Sequence, residues 1–248
     1  RSGAEAAAGR VVGSTRLAHN RRFREETAMT DLTLVIGNRN YSSWSLRPWI
    51  LLRQLGLEFG EVRLPLDTPE FAREIGRWSP SGKVPVLVHG DLRVHESIAI
   101  VEYVNELAGG RAWPADRARR ALARSVAAEM HAGFQPLRSA YPMNVRARER
   151  KVPMTDELAA SIRRLDALWT ECRTRHAADG PWLFGAYTAA DAMYAPVAFR
   201  FRTYGTAGLG ATSLAYMDTV LADPLLQPWI AAAAAETERV AHDEAGAP

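Results

Sequence analysis

The sequence contains a single cysteine, Cys172, and this scarcity excludes both an intramolecular disulfide and a cysteine-based metal cluster. Cys172 lies in a helical apolar pattern with Leu165, Leu168 and Trp169, which predicts a buried structural residue. Six histidines are scattered along the chain without the spacing of a ligand set. We therefore expect no bound metal.

The sequence also lacks a long apolar segment, since no run reaches the roughly 18 residues that a helix needs to cross a bilayer. Apolar residues at 47% and charged residues at 24% are ordinary values for a globular protein. Because a single cysteine gives no sign of an oxidising compartment, we expect a soluble, cytoplasmic protein with no membrane partner.

Net charge is confined to the start of the chain. Residues 1–28 hold six arginines and three glutamates, a net charge of +3, which equals the +3 of the whole sequence. Residues 29–248 are therefore neutral and have no basic field to attract nucleic acid. Because residues 1–28 show no apolar period, we expect a disordered tail. A transit peptide is the functional alternative, and Met29 is a candidate natural start.

From Asp31 the apolar pattern alternates between strand and helix as far as residue 108. It predicts an α/β domain over residues 29–108, with a four-stranded mixed sheet and helices on both faces. The predicted strands are 32–36, 59–64, 84–88 and 91–94, and the predicted helices are 44–55, 68–78 and one from Ser97.

After a linker at about 108–116 no strand pattern remains, which predicts an all-helical domain over residues 117–240. The predicted helices are about 115–142, 154–178, 189–204, 213–222 and 224–238. The run Thr188-Ala189-Ala190-Asp191 is a capping box with Asp in place of Glu, and its predicted role is structural.

Three serines, Ser42, Ser43 and Ser45, stand where the first helix should begin. A helix N-terminus favours anions, because its dipole and its unpaired N–H groups both attract negative charge, and a serine hydroxyl can donate a further hydrogen bond to a thiolate. A plain N-cap is the structural alternative. Because Pro48 disrupts regular helical bonding, we expect the regular helix to start near Ser45.

Two further groups precede predicted elements. Pro85 opens a strand after Lys83 and Val84, which fits either an edge-strand proline or a cis bond that turns the backbone towards a ligand. Glu96 and Ser97 stand at a helix start, where they can hold an amino group and a carboxylate. The alternative for this pair is again a cap.

The serines at the first helix, Val84-Pro85 before a strand and Glu96-Ser97 at a later helix occur in this order along the chain. With them, the sequence resembles the glutathione transferase family over about residues 32–230. That resemblance implies a thioredoxin-like N-terminal domain (βαβαββα) that binds glutathione, followed by an all-helical C-terminal bundle that lines the electrophile pocket. The run 42–45 is similar to the Ser-Ser-Cys-Ser of the zeta class, with Trp44 in place of cysteine. Asn40-Tyr41 and residues 129–134 look more like a bacterial subgroup.

The resemblance implies that Ser42, or secondarily Ser43, activates the thiol of glutathione for attack on a small electrophile. It further implies a glutathione-binding set that consists of Lys83, Val84, Pro85, Glu96 and Ser97. In this set Val84 pairs with the tripeptide backbone, Lys83 either approaches a carboxylate or is solvated, and Glu96 and Ser97 hold the γ-glutamyl end. Glutathione is then a co-substrate, no nucleic acid is bound, and a homodimer is expected. The candidates for the electrophile pocket are His131, Phe134, Arg138, Tyr141, Met143, Arg200 and Tyr204.

Two alternatives remain open from the same residues. One is a protein that binds glutathione or apolar ligands on this fold without turnover. The other is an enzyme of the maleylacetoacetate isomerase type.

Overall fold

A computed structural model describes residues 31–247 of the chain. The tail predicted for residues 1–28 lies outside the described residues. The elements of the first half are β1 (Leu32–Ile36), α1 (Ser43–Leu55), β2 (Gly60–Arg63), α2 (Pro69–Trp78), β3 (Val86–His89), β4 (Leu92–His95) and α3 (Ser97–Leu107).

These elements form one four-stranded mixed sheet in the order β2-β1-β3-β4. β1 is parallel to β2 and antiparallel to β3, and β3 pairs antiparallel with β4. Val35 of β1 lies beside Val62 on one side and Val86 on the other. The strands β1 and β3 are almost fully buried because helices cover both faces of the sheet.

The second half is helical, with α4 (Arg117–Ala132), α5 (Gln135–Ala140), α6 (Asp156–His176), α7 (Ala189–Tyr204), α8 (Ala211–Ala222) and α9 (Gln227–Ala235). Short 3₁₀ turns follow at Ala177–Asp179 and Ala241–Asp243. Helix α7 is buried along nearly its whole length because α1, α4 and α8 all pack against it. The fold class expected from the sequence, a thioredoxin-like domain followed by a helical bundle, is confirmed.

Two details of the helices differ from the sequence predictions. The helix expected over 115–142 is divided into α4 and α5, because Phe134 adopts a left-handed backbone (φ 56°). Gly133 at the break lies so close to α4 that an added Cβ would come within 2.7 Å of the Glu129 carbonyl oxygen. Helix α1 begins at Ser43 and not near Ser45, with Pro48 inside it.

The capping box at the start of α7 is confirmed. The Asp191 carboxylate accepts hydrogen bonds from the Thr188 backbone N–H (2.8 Å) and hydroxyl (3.0 Å), and also from the Leu183 N–H (2.9 Å) and the Tyr216 hydroxyl (3.0 Å). Cys172 is buried and unbridged, as its pattern predicted. None of the described helices combines the length and the apolar character that a bilayer crossing requires.

Candidate active site

Ser42 and Ser45 lie next to each other where β1 gives way to α1. Their Oγ atoms are 2.7 Å apart, and the Ser45 Oγ accepts a hydrogen bond from the Gly37 backbone N–H at 3.2 Å. Ser42 occupies the N-cap position, yet its side chain makes no capping bond to the helix backbone. The structure therefore does not use the Ser42 hydroxyl as a cap.

Ser43 belongs to a different set of contacts. Its Oγ accepts a hydrogen bond from Nη2 of Arg200, on α7, at 3.1 Å. Both side chains are almost entirely buried, at 7% and 4% exposure. The sequence separation is 157 residues, so this contact joins the two halves of the chain directly at the start of α1.

A cleft of about 440 Å³ opens between the two halves beside these serines, and it is called the main cleft here. The β/α half contributes Ser42, Ser43, Trp44, Lys83 and Val84 to its lining. The helical half contributes Arg138, Met143 and Arg200, and the C-terminal segment contributes His242 and Asp243.

A smaller cavity of about 180 Å³ adjoins the main cleft. It is lined by Trp44, Ser81, Lys83, Val84, Pro85, Glu96 and Ser97. The two cavities share Trp44, Lys83 and Val84, so they are neighbouring parts of one surface. Every residue predicted to activate or bind glutathione therefore lines at least one of the two cavities.

Two backbone features shape this smaller cavity. The Val84–Pro85 peptide bond is cis, which was one of the two interpretations of Pro85 from the sequence. Glu96, an exposed residue, has a left-handed backbone (φ 68°), which directs the chain abruptly into α3. Directly after it, the Ser97 hydroxyl is buried and has no hydrogen-bond partner within the described chain.

Trp44 stands where the cavities meet, and positive charge surrounds it. The Arg47 guanidinium lies 4.0 Å from the ring centroid and that of Arg138 lies 5.2 Å from it, while the His131 ring meets its edge at 5.3 Å. Burial, together with the charges of Arg200 and Arg138, holds the pKa of Arg47 well below its usual value. Burial, with the nearby Arg47 charge, also lowers the pKa of His131.

Some of the residues predicted for an electrophile pocket line the main cleft, and others do not. Arg138, Met143 and Arg200 line the main cleft. Tyr141 and Tyr204 instead stack on each other with centroids 4.8 Å apart, and the ring of Phe134 packs against that of Tyr194. Sequence reasoning missed Arg47, which looks like an ordinary helix residue, and the C-terminal pair His242 and Asp243, which no local pattern places near α1.

No cluster of three or more His, Cys, Asp or Glu side chains suited to a metal ion occurs in residues 31–247. Cys172 is remote from the serines, in a separate cleft between α4 and α6, and burial raises its pKa to about 11. At neutral pH its thiol is therefore protonated, and it is a poor nucleophile.

Comparison with known proteins agrees with this architecture. The model of the glutathione S-transferase N-terminal domain matches residues 41–107, and the model of the C-terminal domain matches residues 148–232. Together they cover more than half of the chain. The chain belongs to the glutathione S-transferase family.

Relatives within the glutathione S-transferase family are distant. Glutathione S-transferase 1 of Dianthus caryophyllus is 34% identical over 106 residues, which are 41% of this chain and 46% of that protein. Maleylacetoacetate isomerase of Rattus norvegicus is 26% identical over 125 residues, or 50% and 58% of the two chains. The chain thus spans about half the length of the curated relatives it matches.

A solved structure extends the likeness to nearly the whole fold. A glutathione transferase homolog from Burkholderia GL BGR1, with bound glutathione, superposes with a TM-score of 0.63 at 23% identity. The match covers 83% of this chain and 99% of that one. At this identity the likeness concerns the fold, with the sheet half and the helical half arranged as in a glutathione S-transferase.

Proposed function

We propose that this member of the glutathione S-transferase family is a glutathione transferase, which activates the glutathione thiol with Ser42 for attack on a small electrophile. One observation carries the proposal. The serines at the start of α1 and the pair Glu96–Ser97 at the start of α3 border adjoining cavities, which are joined by Val84. An extended tripeptide suits this arrangement, with the thiol of its central cysteinyl residue towards the serines and its γ-glutamyl group towards Glu96 and Ser97.

The hydrogen bonds of the serines explain why Ser42 is the first candidate. Ser45 is fully buried and accepts from the Gly37 N–H, so its own hydrogen needs an acceptor. Either hydroxyl can be the donor across the 2.7 Å contact with the Ser42 Oγ; we take Ser45 as the donor, which makes Ser42 the acceptor. The hydrogen of Ser42 is then free to be donated into the main cleft, where a thiolate can accept it.

The size of the required effect is modest. A free cysteine-like thiol has a pKa of about 8.5, so about 3% is thiolate at pH 7. A lowering by about two units, which corresponds to about 2.7 kcal/mol, makes the thiolate the main form. A charge-assisted hydrogen bond and a helix N-terminus together supply energies of this order.

The other predicted contacts fix the tripeptide. Val84 offers its backbone N–H and C=O for strand-like pairing with the cysteinyl residue. Glu96 receives the α-amino group, and the unpartnered Ser97 hydroxyl with its N–H receives the α-carboxylate. Lys83 is exposed at the shared wall and approaches a carboxylate of the ligand.

The reaction itself needs only these groups. The thiol loses its proton to solvent, the thiolate attacks an electrophilic carbon, and a carbon–sulfur bond forms. With an aryl halide, the carbon–halogen bond breaks and halide leaves with the electron pair. Ser42 donates its hydrogen bond to sulfur before attack and does not transfer the proton.

Substitution of Ser42 tests the proposal. We expect Ser42→Ala to lower turnover of an activated aryl chloride by tenfold or more, while calorimetry still detects glutathione binding. Ser43→Ala tests the second candidate for the activator in the same assay. Unchanged turnover in Ser42→Ala would exclude Ser42 as the activator, and absence of glutathione uptake by the wild-type protein would remove the whole proposal.

A second candidate is isomerisation of the maleylacetoacetate type. The isomerase of Rattus norvegicus is among the relatives. The run Ser42–Ser43–Trp44–Ser45 resembles the zeta pattern with Trp44 in place of cysteine, while Pro48-Trp49 departs from the arginine-rich continuation of that class. Glutathione-dependent cis–trans isomerisation of maleylacetone, followed by its absorbance, distinguishes this activity from conjugation. Binding without either activity would favour a non-catalytic protein on the same fold.

Three further expectations belong to the same proposal. The domain limits 29–108 and 117–240, a homodimer and a cytoplasmic location stay predictions. Light scattering of the purified protein measures the mass of the assembly and so tests the homodimer.

A further inference from the structure

We propose that Arg200 is a positioning residue for thiol activation: it fixes the Ser43 hydroxyl so that its hydrogen points to the glutathione sulfur. This inference rests on the proposed function and deepens it. The site then has two hydroxyl donors, Ser42 and Ser43, and a buried positive charge directly behind the second.

Arg200 is itself held firmly. Its Nη1 donates hydrogen bonds to the backbone carbonyls of Arg138, at 3.0 Å, and of Tyr141. Its Nη2 donates to the Ser43 Oγ at 3.1 Å. With carbonyls on one side and the serine on the other, the guanidinium cannot turn without losing buried hydrogen bonds.

The donor count of the two groups sets the direction of the hydroxyl. A guanidinium has donors and no acceptor, so Ser43 must act as the acceptor towards Arg200. A serine hydroxyl has one hydrogen, and no other bond of the Ser43 Oγ occurs among residues 31–247. Ser43 lines the main cleft, so its hydrogen remains for an acceptor there.

The charge of Arg200 is not neutralised by an ion pair. No carboxylate lies within 4.0 Å of its guanidinium in the part of the chain that the structure describes. Arg138, Asp243 and Tyr204 are the charged or titratable groups that act on it from α5, the C-terminal 3₁₀ turn and α7. Arg47 on α1 adds a further positive charge nearby.

Arg200 stays positively charged at neutral pH. Burial lowers the pKa of Arg200 to about 10, so the guanidinium is protonated at pH 7. Burial raises the pKa of Asp243 to about 6, opposed by the charges of His242 and Arg200. Below that pH the acid becomes neutral, and the positive field of the three arginines then acts on the cleft with less opposition.

Arg202 provides a control from the same helix. It is partly buried, its pKa is also lowered to about 10, and it donates to a backbone carbonyl, that of Val145, at 2.9 Å. It lies over the Phe199 ring at 4.7 Å and does not line the main cleft. Of these two arginines of α7, only Arg200 reaches a serine of the site.

The experiment measures the pKa of the bound glutathione thiol by the ultraviolet absorbance of the thiolate as pH is varied. We expect Arg200→Gln to raise that pKa by about one unit, which lowers the thiolate fraction at pH 6 about eightfold. Glutathione affinity should change less than threefold. Arg200→Lys should recover part of the shift, and Arg202→Gln should leave the thiol pKa unchanged.

Ser43→Ala is the second variant in this measurement, and it tests the inference even if Arg200→Gln does not fold. It should raise the thiol pKa in the same direction, and Arg200→Lys in the Ser43→Ala background should add no further shift. A thiol pKa unchanged in Ser43→Ala and in the folded Arg200 variants overturns the inference while leaving the transferase intact. A wild-type protein that binds glutathione without lowering its thiol pKa overturns both.

Discussion

The carboxylate of Glu236 caps the backbone of Asn40, with an Oε2 to N distance of 3.0 Å across 196 residues of sequence. Its other oxygen accepts from the Arg39 N–H at 2.8 Å. Glu236 follows α9, and Asn40 lies two residues before Ser42, so the C-terminal segment holds the loop that positions the serines. The loop that leads into α1 is thereby held by a residue near the C-terminal end of the chain.

Loss of this contact should loosen the site. We expect Glu236→Ala to lower the free energy of unfolding by about 2 to 3 kcal/mol, because two partly buried N–H groups lose their acceptor. Glutathione binding should weaken as the loop before Ser42 relaxes. Denaturant unfolding and calorimetry measure the two effects. Glu238→Ala removes a more exposed ion pair with Arg63, so it should cost less than about 1 kcal/mol; equal losses in the two variants would contradict the role of Glu236.

Ser97 and Ser45 should respond in opposite ways to substitution by alanine. The Ser97 hydroxyl has no partner in the described chain, so Ser97→Ala should leave the free energy of unfolding within about 0.5 kcal/mol and weaken glutathione binding about tenfold. Ser45→Ala leaves the buried Gly37 N–H unpaired and should cost about 1 to 2 kcal/mol. Thermal unfolding and calorimetry on both variants check this; a destabilised Ser97→Ala protein with normal binding would refute it.

Arg47 should lower the stability of the fold. It is fully buried, and none of its three guanidinium nitrogens has a hydrogen-bond partner among the described residues. Its stacking on Trp44 offsets about 2 kcal/mol, less than the several kcal/mol that an unpaired buried charge costs. We expect Arg47→Met to raise the melting temperature by several degrees. Arg53→Met, an exposed position on the same helix, is the control, and a lower melting temperature for Arg47→Met would show that the charge is needed for folding.

Asp191 should make stability depend on pH. Burial raises its pKa to about 6 against the opposing effect of its four donors. Because the folded pKa is above the unfolded value, this group's contribution is fully present below pH 4 and is lost as pH rises through 6, by about 3 kcal/mol.

Asp191→Asn should remove that slope and, at pH 7, cost about 2 to 3 kcal/mol, since the amide cannot accept from all four donors. Denaturant unfolding at several pH values measures both effects. Asp166→Asn should change little, because the amide Oδ1 can still accept the one exposed bond from the Gly210 N–H. A slope that persists in Asp191→Asn assigns the pH dependence to another group.

Much of the fold follows from local sequence. Strand β1 reads as an apolar run, Gly56 ends α1 in a left-handed conformation, and the Thr188–Asp191 box starts α7. These features depend on residues within one or two turns, which is the range that periodicity and capping describe. The break between α4 and α5 was missed because a left-handed phenylalanine, Phe134, has no reliable sequence signal.

Some residues of the candidate site could likewise be predicted from local sequence, and others could not. The serines, Val84–Pro85 and Glu96–Ser97 were named from patterns local to each element, because helix starts and strand starts have residue preferences. Arg47 was not named, since nothing local distinguishes a buried arginine from a solvated one on an amphipathic helix. Arg200 was named only as one of several candidates for the electrophile pocket.

By itself the sequence determined the order of strands and helices, the mixed sheet and the residue types at each helix start, because those depend on short-range periodicity and capping. Only the tertiary structure decided that Arg200 meets Ser43 and that Glu236 holds Asn40. Each of these contacts joins residues more than 150 positions apart, and such pairs are set by how α1 packs against α7 and where the chain returns after α9.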